Sequence, residues 1–206
     1  MKFKLIPLFV LLTNLAVAQW HVGGRSGITL SNYRSKTNFT EVSNKGVAVG
    51  LVAYKLIGQH AGVNIGFDYV EKGYQHQVCS TISDRLEATY LEVPVMLDYS
   101  FPMFHNLRIH ARAGGYAAYW MTARYKAEGY DGGSGEFDFK RNRAKRLDYG
   151  PSVGALIDYT LNNSKLGVEV KYEMGMRDMQ SVSGDATKNV NRTWLIGIVY
   201  LLPLTR

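Results

Sequence analysis

The chain has little cysteine and little proline. Its one cysteine, Cys79, excludes a disulfide within the chain, and we interpret it as a free thiol in a predicted polar loop, without a chemical role. Five prolines in 206 residues leave long segments able to form continuous backbone hydrogen bonds. After the N-terminal region, no segment has the roughly 18 consecutive apolar residues that indicate a membrane-spanning helix.

Recognisable catalytic and metal-binding motifs are also missing. There is no G-x-S-x-G motif, no H-x-x-x-H pair and no cysteine cluster. A Ser/His/acid set at a membrane rim would have to use scattered histidines, namely His21, His60, His76, His105 or His110. We therefore expect no catalytic residue, no metal and no cofactor. A rim lipid hydrolase or acyltransferase is the least favoured class of function.

The first 18 residues have the three parts of a secretory signal peptide. Lys2 and Lys4 precede an apolar run that extends from Leu5 to Val17, and the tripeptide Ala16-Val17-Ala18 supplies the small-x-small cleavage pattern. The run is shorter than the roughly 20 residues of a membrane-spanning helix. We predict export, cleavage after Ala18 and a mature domain comprising residues 19–206.

Eight segments of the mature chain are predicted to be strands, separated by polar or glycine-containing connections. They are Trp20–Tyr33, Lys45–Leu56, Ala61–Lys72, Ala88–Ser100, Leu107–Arg124, Arg146–Tyr159, Leu166–Met176 and Asn191–Leu202. The connections alternate between long and short, beginning and ending with a long one. This pattern predicts an all-β, eight-stranded antiparallel up-and-down transmembrane β-barrel, with short periplasmic turns and long extracellular loops.

The seventh segment shows the two-residue period of a strand most clearly. Its apolar face consists of Leu166, Val168, Val170, Tyr172, Met174 and Met176. Glu169, Lys171 and Glu173 lie on the opposite face, flanked by glycines. The third to sixth segments alternate in the same way, whereas the second is ambiguous. The eighth is apolar on both faces, and we assign Trp194, Ile196, Ile198 and Tyr200 to its outer face.

The polar faces carry charges of both signs, which can neutralise one another in a narrow lumen. The predicted lumen network consists of Arg108, His110 and Arg112 together with Glu169, Lys171 and Glu173. Further acids on polar faces are Asp68, Glu92, Asp98, Asp148 and Asp158. We interpret this network as structural, and a proton or ion relay as the less favoured alternative. The sequence does not give the register, so no particular pair is predicted.

Alternation alone also fits a barrel of the opposite polarity, a secreted soluble lipocalin-like barrel that binds an apolar ligand inside. Glycines on the polar faces favour a membrane barrel with lipid on its outside, because they make room for large polar side chains within a narrow lumen. Aromatic residues near strand ends also favour a membrane barrel, because such residues form girdles at the two membrane interfaces. These aromatics are Trp20, Tyr33, Tyr69, Tyr99, Tyr119, Trp120, Tyr149, Tyr159 and Tyr200.

Several motifs resemble those of the PorT-like outer-membrane β-barrel family of Bacteroidetes-type bacteria. They are Tyr90-Leu91-Glu92-Val93-Pro94-Val95-Met96-Leu97, Gly114-Gly115-Tyr116, Asp148-Tyr149-Gly150 with Gly154, and Tyr172 with Gly175 and Arg177-Asp178. The resemblance implies an eight-stranded outer-membrane barrel, and some members of the family are linked to protein secretion. The chain departs from the usual aromatic C-terminus of such barrels, since Tyr200 is its last aromatic residue.

The longest predicted loop contains the densest basic segment of the chain. Its cations are Lys140, Arg141, Arg143, Lys145 and Arg146. In an extracellular loop they would lie near the phosphates of lipopolysaccharide, and a solvated basic loop is the equally favoured alternative. Export argues against nucleic acid as a partner. We therefore expect a non-enzymatic outer-membrane protein, either structural or part of an envelope or protein-secretion assembly, with outer-membrane lipids and possible envelope proteins as partners.

Overall fold

The structure is a computed structural model that describes residues 20–34, 40–79, 82–128, 133–138, 145–177 and 190–204. It contains β1 (Trp20–Arg34), β2 (Thr40–Val42), β3 (Asn44–Ile57), β4 (Ala61–Cys79), β5 (Ile82–Phe104), β6 (Leu107–Glu128), β7 (Ser134–Glu136), β8 (Leu147–Leu161), β9 (Ser164–Met174) and β10 (Val190–Pro203). Within the described ranges, no helix is long and apolar enough to cross a membrane. The predicted signal peptide lies outside those ranges.

Eight of these strands form a closed antiparallel barrel. Each of β1, β3, β4, β5, β6, β8, β9 and β10 pairs with two barrel neighbours, and β1 pairs with β10 to close the sheet. The predicted fold class is therefore confirmed. Closure leaves no unpaired edge in the barrel wall, so all its backbone hydrogen bonds can form within an apolar solvent.

The register of the ladders sets the width of the barrel. Successive ladder partners around it are His21, Tyr54, Asn64, Met96, Gly114, Ser152, Glu173, Thr193 and Ser31. The path returns to β1 at Ser31, ten residues beyond His21, so the shear number is 10. An eight-stranded barrel has a lumen that side chains can just fill.

The two ends of the barrel differ. Tight turns join β3 to β4, β5 to β6, and β8 to β9, and the β1 end that begins at Trp20 lies beside Leu204 at the same end, which we term the short-turn end. At the opposite, long-loop end, β4 and β5 stay paired as far as Cys79 and Ile82. The prediction of a loop over Gly73–Glu87, with Cys79 in it, was therefore wrong. An antiparallel ladder satisfies its backbone groups without an apolar face, so polar sequence above a membrane can remain a strand.

The hairpin of β4 and β5 leans across the barrel at the long-loop end. Thr29 Oγ1 donates to Glu71 O at 2.6 Å, and Ser31 Oγ donates to Gly73 O at 3.0 Å while accepting from Gly73 N at 2.8 Å. These bonds join β1 to β4, although β3 lies between them in the sheet. The short strands β2 and β7 extend the same sheet by pairing with β4 and β6. The hairpin thus covers part of the barrel mouth.

The outer wall of the barrel is apolar. On β9, Leu166, Val168, Val170 and Met174 are exposed, and the assignment of Trp194, Ile196, Ile198 and Tyr200 to the outer face of β10 is confirmed. The ambiguous β3 turns Val47, Val49 and Leu51 outward. Exposed aromatic residues lie near both ends of the wall: Tyr69, Tyr119, Tyr149 and Trp194 toward the long-loop end, and Tyr99, Tyr159 and Tyr200 toward the short-turn end.

Trp120 is an exception to the predicted aromatic girdles. It is fully buried inside the barrel, where its ring stacks on Tyr90 with centroids 5.8 Å apart. Trp120 shares the inward face of β6 with Tyr116 and Ala118, so the two-residue period places it inside, whereas Tyr119 points outward. Its place in the predicted outer girdle was therefore wrong.

Candidate functional site

The lumen holds a chain of buried ion pairs that extends from one end of the barrel to the other. Near the long-loop end, Lys72 Nζ lies 2.6 Å from Glu92 Oε2 and 2.8 Å from Glu173 Oε2. Lys171 Nζ contacts the same two carboxylates, at 3.1 Å and 2.6 Å. Two cations and two anions therefore alternate around one cluster. Such pairing offsets the large cost of removing each charge from water.

Arg25 and Asp68 form the next pair along the lumen. Arg25 Nε donates to Asp68 Oδ1 at 2.7 Å, and Arg25 Nη2 donates to Asp68 Oδ2. This two-pronged geometry is the strongest that an arginine and a carboxylate can make. Lys171 Nζ lies 4.0 Å from Asp68 Oδ2, which joins this pair to the preceding cluster.

Arg112 and His110 continue the chain toward the short-turn end. Arg112 contacts Glu169 at 2.9 Å and Asp98 at 3.1 Å, and Glu169 also lies 3.9 Å from Arg25. His110 Nε2 lies 2.7 Å from Asp158 Oδ2, and His110 Nδ1 lies 3.8 Å from Asp98 Oδ2. The last member is Lys165, whose Nζ is 3.8 Å from Asp158. Ion pairs from six barrel strands thus cross-link the lumen.

Five of the six predicted network residues lie in this chain, namely His110, Arg112, Glu169, Lys171 and Glu173. Arg108 does not join it within the described residues, because its guanidinium lies at the short-turn end and donates to Ser100 Oγ at 3.4 Å. Asp148 is buried and accepts from Tyr116 OH at 3.0 Å and from Asn191 Nδ2 at 3.4 Å, and it forms no salt bridge with a cation among the described residues.

Three cations of the chain were missed from the sequence: Arg25, Lys72 and Lys165. Lys72 continues the inward face of Asn64, Gly66 and Asp68, so extending the same two-residue period would have found it. Arg25 is a single charge between glycines of the first strand. Lys165 lay at the edge of a predicted turn, where no face could be assigned.

Gly66 creates the space that Arg25 occupies. A Cβ at this position would meet Arg25 Nη2 and would lie 3.1 Å from Pro94 Cγ. We expect Gly66→Ala to displace the guanidinium and to lower the free energy of unfolding by about 1–3 kcal/mol. The matched control is Gly24→Ala, where a Cβ would have its nearest neighbour at 3.7 Å, an ordinary contact. Urea unfolding of both variants in lipid vesicles tests this, and equal stability would contradict it.

Two apolar clusters also fill the lumen. Toward the long-loop end, Leu86, Ala88, Tyr90, Tyr116, Ala118, Trp120 and Ala123 form a buried cluster against which Phe137 packs. Toward the short-turn end, Val52, Tyr54, Leu156, Val199 and Leu201 form a second cluster, beside His110 and Lys165. The lumen is therefore filled by ion pairs and by apolar side chains that pack against them.

The remaining predicted sites are not brought together. Of the basic segment, the structure describes only Lys145 and Arg146, and Lys140, Arg141 and Arg143 lie outside the described residues. Arg146 donates from Nε to Trp120 O and from Nη2 to Met121 O, and its guanidinium lies 5.2 Å from the Tyr119 ring. Among the described residues, no three His, Cys, Asp or Glu side chains are grouped so as to hold a metal ion.

The apolar wall, the aromatic residues at both ends and the charged, packed lumen together define a transmembrane β-barrel. A family model described as the outer membrane protein beta-barrel domain matches residues 14–181. The chain belongs to this family and is an outer-membrane protein. The short-turn end is accordingly periplasmic and the long-loop end extracellular. The match does not specify the PorT-like group, so that narrower assignment stays a prediction.

Solved structures of other outer-membrane barrels are similar to this chain. The attachment invasion locus protein Ail of Yersinia pestis is 12% identical, with a TM-score of 0.46 over 90% of this chain and 99% of that chain. OprG of Pseudomonas aeruginosa is 12% identical, with a TM-score of 0.47 over 90% and 95%. The protease OmpT of Escherichia coli is 10% identical, with a TM-score of 0.42 over 91% and 96%. No curated protein matches the sequence.

Proposed function

We propose that this protein is a non-enzymatic outer-membrane barrel whose lumen is a structural plug, and that it serves as a membrane-embedded component of an envelope or protein-secretion assembly, as its PorT-like motifs suggest. The observation that carries the proposal is the continuous ion-pair chain along the lumen, with two apolar clusters packed beside it. It fills the space through which a solute would have to pass. The barrel then acts through the surfaces that it presents on either side of the membrane.

The polarity of the barrel argues against the lipocalin-like alternative. A soluble barrel that binds an apolar ligand needs an apolar lumen and a hydrated outer wall, and this protein has the reverse arrangement. Lys72, Glu92 and Lys171 are almost completely buried inside, whereas Leu51, Leu97 and Val168 are exposed outside. Lipid, and not water, is therefore the suitable solvent for the outer wall.

Electrical conductance of the purified protein in planar lipid bilayers tests the plug. We expect no ion conductance above that of the bare bilayer, because Trp120, Tyr90 and the ion pairs beneath them occupy the lumen. A second measurement on Trp120→Ala should also show a closed barrel, since the charged layer remains. Stable, discrete channels in the unmodified protein would overturn the proposal of a plugged barrel.

The proposed membrane partners are lipopolysaccharide phosphates, contacted by the basic segment that includes Lys145 and Arg146. Arg146 is anchored beside Tyr119 at the extracellular girdle, the level at which lipid headgroups lie. This supports lipid contact but does not distinguish it from a solvated basic loop. Binding of the protein to vesicles with and without lipopolysaccharide, at low and high salt, distinguishes the two.

Membership of an assembly requires a protein contact at one end of the barrel. Photo-crosslinking side chains at Asn163, in a periplasmic turn, and at Gly135, in β7, would sample the two ends in intact cells. The proposal expects a discrete crosslinked protein at one of these positions. Crosslinks to lipid alone at both positions would favour a purely structural barrel.

A further inference from the structure

The extracellular end contains a cavity of about 580 Å³ that lies outside the lumen network, although Lys72 contributes to its wall. Its walls come from β3, β4, β5, β6, β7 and the residue after β7. Charged side chains of both signs line it: Lys45, Glu71, Arg85, Glu87, Arg124 and Glu136. Its volume is within the range of small-molecule binding sites, roughly 300–1,000 Å³.

Part of this wall is held in place by ion pairs within the protein. Arg85 Nε donates to Asn44 Oδ1 at 2.8 Å and lies 3.2 Å from Glu87 Oε1. Lys126 Nζ lies 3.0 Å from Glu87 Oε2. Arg85 and Glu87 are therefore occupied, and they fix the shape of the cavity before any ligand enters.

Other charges of the wall have no ion-pair partner among the described residues. Arg124 and Glu136 are directly paired in the ladder between β6 and β7, yet they form no salt bridge. The Glu71 carboxylate accepts the backbone N–H of Val47 at 3.2 Å. Neither Glu71 nor Lys45 makes an ion pair with another described residue. Two cations and two carboxylates thus remain available to a ligand.

An aromatic side chain forms the apolar part of the wall. Phe137 stacks on Trp120 with ring centroids 5.2 Å apart and planes inclined by 27°, and Trp120 in turn stacks on Tyr90. This stack of three rings makes Phe137 a rigid surface. It also closes the lumen beneath, so a ligand in the cavity would be bound at the cell surface and not passed inward.

We propose that this cavity is a binding site for a small zwitterion of the short-peptide class. Arg124 and Lys45 would pair with the carboxylate of the ligand, Glu136 and Glu71 with its ammonium group, and an apolar side chain would pack on Phe137. Equal numbers of available cations and anions favour a zwitterion over a purely anionic or cationic ligand. The inference is independent of the proposed plug and of membership of an assembly.

Calorimetric titration of the full-length protein in detergent micelles with the tripeptide Gly-Phe-Gly tests the proposal. We expect saturable binding. Acetylating the N-terminus or amidating the C-terminus should each weaken it about tenfold or more, because each removes a charge-assisted interaction. Absence of saturable binding, or equal binding of the blocked and free peptides, would overturn the proposal.

Variants connect each end of the peptide with a residue of the wall. Arg124→Gln should weaken binding of the free peptide but leave binding of the amidated peptide unchanged. Glu136→Gln should weaken binding of the free peptide but leave binding of the acetylated peptide unchanged. The control Arg177→Gln removes a cation beyond β9 that does not line the cavity, and it should leave binding unchanged. Circular dichroism confirms that each variant is folded. Equal weakening by all three substitutions would indicate non-specific charge effects and would contradict the assignment.

Discussion

Replacement of Arg25 by methionine is expected to lower the free energy of unfolding by about 3–5 kcal/mol, the typical cost of removing one partner of a buried ion pair. Asp68 would lose both of its hydrogen bonds from the guanidinium, and Glu169 would lose a cation at 3.9 Å. Neither carboxylate can reach water, because both are almost completely buried. Equilibrium unfolding by urea in lipid vesicles measures the change.

A second substitution separates the effect of charge from that of packing. In the double variant Arg25→Met with Asp68→Asn, no unpaired carboxylate remains at this pair, so most of the lost stability should return. Arg25→Lys keeps the charge but loses the two-pronged geometry and should lie between the single variant and the unmodified protein. If the double variant is as unstable as Arg25→Met, then shape and not charge pairing accounts for the role of Arg25.

Val170→Arg is expected to destabilise the barrel in a bilayer by about 2–4 kcal/mol and to impair its insertion. Val170 lies on the outer wall near the middle of β9, between Ala155 of β8 and Ile196 of β10. An arginine there would place a charge near the midplane of the membrane. The fraction of protein that folds into preformed vesicles, together with its unfolding free energy, measures both effects.

The same substitution nearer the membrane interface provides the matched control. Met174 lies on the same face at the extracellular end of β9, so Met174→Arg should cost only about 0–1 kcal/mol, since a charge near the interface can reach water and headgroups. Equal and small costs at both positions would mean that this wall does not face lipid.

The barrel could be predicted because its signals are local and repeated. The alternation in Leu166–Met176 fixes which side chains share a face, and the alternation of loop lengths fixes how the strands connect. The partners of the lumen charges could not be predicted in the same way. The contact of Arg112 with Glu169 joins residues 57 positions apart, and it depends on the register of two ladders, β6 with β8 and β8 with β9, which no local pattern encodes.

The extracellular hairpin was missed for a different reason. Above the membrane, neither face of a strand has to be apolar, so the polar sequence of β4 and β5 between Gly73 and Glu87 resembles a loop although its residues are paired in a ladder with one irregularity, between Gln77 and Cys79. The cavity was missed for the same reason, because its walls come from those extensions and from β7. Sequence patterns thus predicted the membrane-embedded part better than the extracellular surface.

Lipid around the apolar wall and packing in the lumen should both keep water away from the side chains of β10. The reactivity in vesicles of single cysteines along β10, in a background with Cys79→Ser, tests both. Ile196, Ile198 and Tyr200 are exposed on the outer wall, whereas Leu195, Val199 and Leu201 are buried inside. We expect outer positions to react only with a lipid-soluble maleimide and inner positions to react with neither reagent until the protein is unfolded. Reaction of the outer or the inner positions with a membrane-impermeant maleimide would contradict this expectation.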